Sequence, residues 1–182
     1  METSNFSPSS QQPNYDPLAV KPMRDELVAV GFKEMLTPED VNKALSQESK
    51  TVLVVINSVC GCSAGTARPG AMRAVQHEVI PDELLTIFAG MEKDALAYYR
   101  RKYLANYFPS SPSMALLKNG EVVGILHRSD IEGHTAEDVA KELIQLFDRT
   151  CTQKGPSVSP EEFEKIVAGD YGCSTNLPKF QS

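Results

Sequence analysis

The chain has 182 residues, a formal net charge of −6, and 41% hydrophobic and 7% aromatic residues. That length suits one domain with its own core and short appendages, and a mildly acidic balance lacks the basic footprint of a nucleic-acid binder. Four cysteines (Cys60, Cys62, Cys151 and Cys173) are too few for a secreted disulfide scaffold, and no apolar run approaches the roughly 20 residues of a membrane helix.

Residues 1–16 are rich in Ser, Pro, Gln and Asn and carry neither a basic n-region nor an apolar h-region. They read as a mobile tail without a secretory signal, which makes the cytoplasm the expected location. Close cysteine pairs there stay reduced and serve catalysis or metal binding. A helix is predicted to open at Pro22, with Met23, Leu27 and Val30 on one face and Gly31 near its end. A second begins at Thr37, an N-cap followed by Pro38 and by Asp40 in a capping-box position, with Val41, Ala44 and Leu45 as its stripe.

Thr51 to Asn57 is β-branched and apolar at consecutive positions, the pattern of a strand buried on both faces. Residues 63–79 read as helix with Pro69 at its start or kinking it, Leu84–Ala89 as a second buried strand, and Glu92–Leu104 as helix. Met114–Lys118 and Glu121–His127 form a hairpin around Asn119-Gly120, a pair suited to a turn with positive φ at both residues. Thr135, with Asp138 three residues on, caps a helix to about Arg149 that turns Val139, Leu143 and Leu146 inward. The order βαβ then ββα predicts an α/β thioredoxin-like fold over residues 17–151: a central mixed sheet flanked by helices, with extra N-terminal helices. Residues 152–182 read as an extension with one short helix from Ser159 to about Ala168 and no core of its own, so truncation after Cys151 is expected to spare the fold and the thiol chemistry.

The segment with chemistry is Asn57-Ser58-Val59-Cys60-Gly61-Cys62-Ser63. Two thiols between a strand end and a helix start meet the partial positive charge and free N–H groups of the helix N-terminus, which favour thiolate. Cα atoms two residues apart lie roughly 5.5–7 Å from each other, against about 4.4–6.8 Å for a disulfide. A Cys-Gly-Cys disulfide therefore needs a bent, strained backbone, made accessible by Gly61, and is expected to be labile. The competing reading is a metal site, in which soft thiolates take zinc or copper. It needs further ligands, and His77, His127, His134, Cys151 and Cys173 stand at no standard spacing. Cys60 ends the strand on the side expected to be more exposed, and Cys62 enters the helix, which assigns attack to Cys60 and the second role to Cys62.

Asn57, Ser58, Gly61 and Ser63 shape the motif, and Ser111-Pro112, ahead of the hairpin, is the place where thioredoxin-like folds carry a cis-proline beside the cysteines. Arg68 reads either as a stabiliser of a thiolate or anionic substrate, or as a solvated arginine. His134 is a minor candidate, and Tyr98, Tyr99 and Tyr103 most simply cover the sheet.

Together with Ala67-Arg68-Pro69, Phe88-Ala89-Gly90, Pro109 to Lys118 and Ile131-Glu132-Gly133-His134, the cysteine segment resembles the bacilliredoxins over about Asp16 to Cys151. The resemblance implies a thioredoxin fold with a Cys-Gly-Cys site and removal of bacillithiol, or a similar low-molecular-weight thiol, from S-thiolated client proteins in the cytoplasm. Cys60 matches the nucleophile, Cys62 the second cysteine, and Cys151 the C-terminal cysteine of some members. Disulfide isomerase or general reductase activity is the alternative. No bound cofactor or metal is implied, and neither nucleic acid nor membrane is an expected partner. The longer N-terminal tail and residues 152–182 with Cys173 depart from the family pattern.

Overall fold

A computed structural model describes residues 11–168, so Cys173 lies outside the described residues. The elements in chain order are α1 (Pro17–Ala29), β1 (Lys33–Glu34), α2 (Pro38–Leu45), β2 (Thr51–Asn57), α3 (Arg68–Ala74, preceded by a π-helical turn, Ser63–Ala67), β3 (Val79–Ile80), β4 (Glu83–Phe88), α4 (Lys93–Tyr103), β5 (Ser113–Lys118), β6 (Glu121–Leu126), α5 (Arg128–Ile131), α6 (Ala136–Thr150), β7 (Gln153–Lys154) and α7 (Pro160–Val167). The main sheet has the order β1-β4-β2-β5-β6. β1 and β2 run parallel to β4, and β5 and β6 turn back antiparallel. A parallel βαβ unit joined through a helix to a β-hairpin and a last helix is the thioredoxin-like α/β arrangement.

β2 is central, and its composition shows why. Every residue from Thr51 to Asn57 is buried. Leu53 and Val55 face the layer of α1, α3 and α6 with Leu27, Ala71, Val139, Leu143 and Phe147. Val52, Val54 and Ile56 face the opposite layer of α2 and α4 with Val41, Leu96 and Tyr99. The strand needs apolar side chains at successive positions because both faces are covered. The helix carrying Gly70 packs so closely on α6 that a Cβ there would come within 2.7 Å of Val139 Cγ1.

Helix starts at Thr37 and Thr135 carry complete capping boxes with Asp40 and Asp138. The hairpin turn has φ of 54° at Asn119 and 76° at Gly120. The first helix differs from the reading that opens it at Pro22: it begins at Pro17, capped by the Asp16 carboxylate accepting from the Leu18 N–H at 2.8 Å, and Pro22 lies inside it. A proline in the second turn removes one helical hydrogen bond; burial of Val20 and Leu27 against the sheet holds the helix together. Just before it, the Asn14 N–H donates to Gly90 O at 2.7 Å.

The extension after Cys151 forms no separate core but adds to the main one. β7 pairs with β3, Ile166 is buried beside Leu27, Val75 and Phe147, and Val158 and Phe163 pack around it. Ser157 and Gly155 donate their N–H groups to Val75 O and Glu78 O at 2.8 and 2.9 Å.

Candidate active site

β2 ends at Asn57, whose side chain is 1% exposed and starts a tightly bonded turn. Its Oδ1 accepts from the Ser58 N–H at 2.8 Å, the Ser63 hydroxyl at 3.1 Å and Arg68 Nη1 at 3.2 Å, while its Nδ2 donates to Met23 O of α1 at 3.0 Å. The Ser58 hydroxyl accepts from the Cys60 N–H at 3.2 Å, and Cys60 O accepts from the N–H groups of Ser63 and Ala64. Helical backbone then runs from Gly61. It is wound as a π-turn through Ser63–Ala67, a local widening that recurs at functional sites, before α3 proper.

Arg68 is neither a thiolate partner nor a solvated side chain. It is 2% exposed and lies beneath the turn, where Nη1 donates to Asn57 Oδ1, Ser58 O and Ser63 Oγ at 3.1–3.2 Å and Nε donates to the Glu26 carboxylate of α1 at 2.6 Å. A guanidinium with several fixed donors suits this task, because the turn presents three acceptors that must be satisfied out of water. The arginine that bears on the thiols is Arg128, at the start of α5, which the sequence reading did not single out. Its position is decided by the tertiary fold and has no local sequence signal.

The two thiols are both half-buried, so exposure does not separate them as expected. Electrostatics does. Burial pushes the Cys60 thiol up, but hydrogen bonding from Cys62 and Ser58, the Ser63 N–H at 3.3 Å from Sγ, and the Arg128 charge together bring it below the ordinary cysteine range. Burial raises Cys62, and the hydrogen bond and negative charge of Cys60 raise it further, with Glu132 adding and Arg128 opposing. The two thiols are thus shifted in opposite directions, so Cys60 is the one of the pair that ionises first, the two being coupled by a shared hydrogen bond. Gly61 between them has no positive φ, and a Cβ there would meet nothing within 4 Å. In this reduced form no bend requires a glycine, and the space beside Gly61 is open.

The antiparallel register sets Ser113 of β5 opposite Ile56 of β2, which carries the preceding residues to the end of the strand where the cysteine turn departs. The Ser111–Pro112 bond there is cis. Arg128 Nη1 donates to Ser111 O at 3.5 Å, its N–H donates to the Ser110 hydroxyl at 3.4 Å, and His127 Nδ1 lies 3.3 Å from that hydroxyl. Ser111 and Pro112 are thus brought to the end of the sheet from which the cysteine turn departs, and Arg128 bonds to Ser111 there.

Other candidates lie apart. His134 is exposed, and its backbone carbonyl accepts from the Thr66 hydroxyl. Tyr99 is fully buried under the sheet, with Tyr103 beside it. Cys151 is buried at the Thr51 end of β2, where burial raises its thiol and a hydrogen bond with Thr51 opposes this. The seven-residue length of β2 separates it from the cysteine turn by roughly 20 Å. Among the described residues, no three His, Cys, Asp or Glu side chains are grouped to hold a metal ion. No helix among them is long and apolar enough to cross a membrane.

A family model described as disulphide isomerase matches residues 15–151. A bacilliredoxin of Geobacillus kaustophilus is 52% identical over 133 residues, 72% of this chain and 91% of the relative. A bacilliredoxin of Staphylococcus aureus is 44% identical over 135 residues, 74% of this chain and 92% of the relative. Solved structures resembling the chain include the thioredoxin-like domain of Arabidopsis NCP, at 15% identity and a TM-score of 0.48 over 67% of this chain and 80% of that one. Oxidised thioredoxin of Plasmodium falciparum also resembles it, at 18% identity and a TM-score of 0.43 over 67% of this chain and all of that one. With a Cys-Gly-Cys turn at the end of the central strand of a thioredoxin-like sheet, and about half its residues shared with bacilliredoxins over most of their length, the chain belongs to the bacilliredoxin family and is a thiol–disulfide oxidoreductase.

Proposed function

We propose that this oxidoreductase removes a low-molecular-weight thiol, bacillithiol in the first instance, from mixed disulfides on cytoplasmic proteins, with Cys60 attacking and Cys62 following. The observation that carries this reading is the setting of two adjacent thiols in one bonded turn: the Ser63 N–H on the Cys60 sulfur, the Cys62 thiol and the Arg128 charge favour ionisation of Cys60, while burial and Cys60 disfavour that of Cys62. The thiolate is the attacking species, and a neighbouring thiol is the natural second nucleophile.

In the first step the Cys60 thiolate bonds to the sulfur of the small thiol. The bond from that sulfur to the client breaks, and the client sulfur leaves with the electron pair and takes a proton. Cys60 then carries the small thiol. Either Cys62, losing its proton, attacks Cys60 and expels the small thiol, or a free small thiol attacks the adduct and departs as its symmetrical disulfide. A Cys60–Cys62 disulfide is returned to two thiols by two further molecules of the small thiol. The cysteines carry the electrons, so no bound cofactor enters. Asn57, Ser58, Ser63 and Arg68 hold the turn, while Gly61, Ser111 and Pro112 border the approach.

The disulphide isomerase description of the matching family favours a second reading, in which Cys60 attacks a disulfide within a client and the protein itself becomes the adduct. Intact-mass measurement with an S-bacillithiolated client separates the two. Cys62→Ser is expected to accumulate the small thiol on Cys60, Cys60→Ser to form no adduct, and Cys151→Ser to behave as the parent. A client-sized adduct supports isomerase or general reductase action. Adducts on Cys62 alone reverse the assignment, and full activity in both single variants removes the pair as the site. Stoichiometric zinc or copper in reduced protein would instead mark a metal-binding module.

A further inference from the structure

Beside the cysteine turn runs a groove of about 780 Å³ lined by Arg100, Phe108, Pro109, Ser110, Ser111, His127, Arg128, Ser129 and Glu132. Its volume falls within the range of small-molecule sites. Its lining includes Arg128, whose charge reaches both thiols, and Arg100, on α4. Arg100 donates from Nη2 to Ser110 O at 3.0 Å, but its Nε is buried without a hydrogen-bond partner, and no carboxylate pairs with it among the described residues. The Arg100 side chain is half-buried without a counter-charge, and this partial burial lowers its pKa. The one carboxylate lining the groove, Glu132, lies 3.3 Å from Arg128 on an exposed surface, a pairing of little strength. The groove therefore carries one positive charge more than it neutralises. Phe108, 86% exposed, adds an apolar rim.

We infer that this groove is an anion subsite in which Arg100, with Arg128, receives a carboxylate of the small thiol attached to the attacked sulfur. The inference rests on the function proposed above, in which Cys60 attacks the sulfur of that thiol. The group borne on this sulfur is then the part of the substrate nearest the cysteine turn, and the segment Ser110–Pro112 leads from there to Arg100. Guanidinium groups suit carboxylates through paired N–H donors in one plane. The subsite would make the protein prefer disulfides of acidic small thiols over neutral ones of similar reactivity.

The test uses the full-length, pre-reduced protein and two probes: glutathione disulfide, which bears carboxylates, and 2-hydroxyethyl disulfide, which bears none. The readout is the ratio of their second-order rate constants for forming a mixed disulfide in a single turnover. Arg100→Gln is expected to lower that ratio about tenfold, the size of one charge-assisted hydrogen bond. Arg100→Lys should keep most of it, Lys141→Gln, on the exposed face of α6 and outside the groove lining, should leave it alone, and rising salt should erode the parent's preference. A ratio indifferent to Arg100 overturns the subsite, and so does an equal loss on both probes, which would make Arg100 a purely structural residue. Dependence on Arg100 seen only for acidic client peptides carrying 2-hydroxyethanethiol would place the carboxylate on the client and overturn the assignment to the small thiol. Failure of the parent to react with either probe overturns the subsite as a general carboxylate site, and failure also on the S-bacillithiolated client would refute the proposed function itself.

Discussion

Arg68→Met isolates the buried tie beneath the cysteine turn. Methionine fills much of the volume of the arginine stem, so the cavity left is small; what is lost is the guanidinium. Asn57 Oδ1 and Ser63 Oγ keep each other and the Ser58 N–H, but Ser58 O loses a donor and Glu26 loses its counter-charge. Breaking a buried ion pair by removing one partner costs about 3–5 kcal/mol. The Arg68 side chain is 3% exposed and Glu26 is 18% exposed, so the carboxylate can turn toward water and the lower end applies, about 3 kcal/mol. For a domain of this size that corresponds to a fall in Tm of roughly 6–12 °C. Urea denaturation followed by circular dichroism measures the loss. A cycle with Glu26→Gln should return a coupling of about 1–3 kcal/mol. Because Arg68 also positions Ser63, whose N–H holds the Cys60 sulfur, the pH midpoint of Cys60 alkylation should rise in Arg68→Met. A stability loss under about 1 kcal/mol, or additive single changes, would refute the view that this arginine ties α1 to the turn.

The lowered Cys60 ionisation has a definite sign in solution: thiolate persists as pH falls through the ordinary cysteine range, so alkylation of Cys60 in Cys62→Ser should have its midpoint below about 8.5. A midpoint at or above that value contradicts the stabilisation by Ser58, Ser63 and Arg128. Ile166→Ala should cost about 2–3 kcal/mol in urea denaturation, with an upper limit set by the docking free energy of the extension itself. Truncation after Cys151 should likewise lower Tm while sparing Cys60 alkylation, in contrast to the expectation from sequence that the fold is indifferent to it. An unchanged urea midpoint in both would show that residues 152–168 add nothing to the core.

Local chemistry was legible in the sequence. Consecutive β-branched and apolar residues from Thr51 to Ile56 can be satisfied only between two apolar layers, and Thr37 with Asp40 and Thr135 with Asp138 start helices through bonds within a single turn. Asn119-Gly120 makes its turn because those residues tolerate positive φ. Cys60 and Cys62 stood out because a strand end followed by a helix start is a reactive place for thiols whatever surrounds it. What the sequence left undecided depends on residues far apart in the chain. Arg68 could be seen to be near the motif but not beneath it, because its burial depends on Glu26 in α1 and on the turn folding over it. Arg128 and Arg100 stand 68 and 40 residues beyond Cys60. Only the return of β5 and β6 alongside β2, and the placement of α4, bring both arginines to one groove beside the cysteine turn. Ile166 likewise shows a helical pattern in sequence, but its burial depends on a space left between α1, α3 and α6 that no local pattern records. Short-range hydrogen bonds and periodicity are written in neighbouring residues; the charge felt by a thiol and the filling of a core are sums over the whole packed molecule.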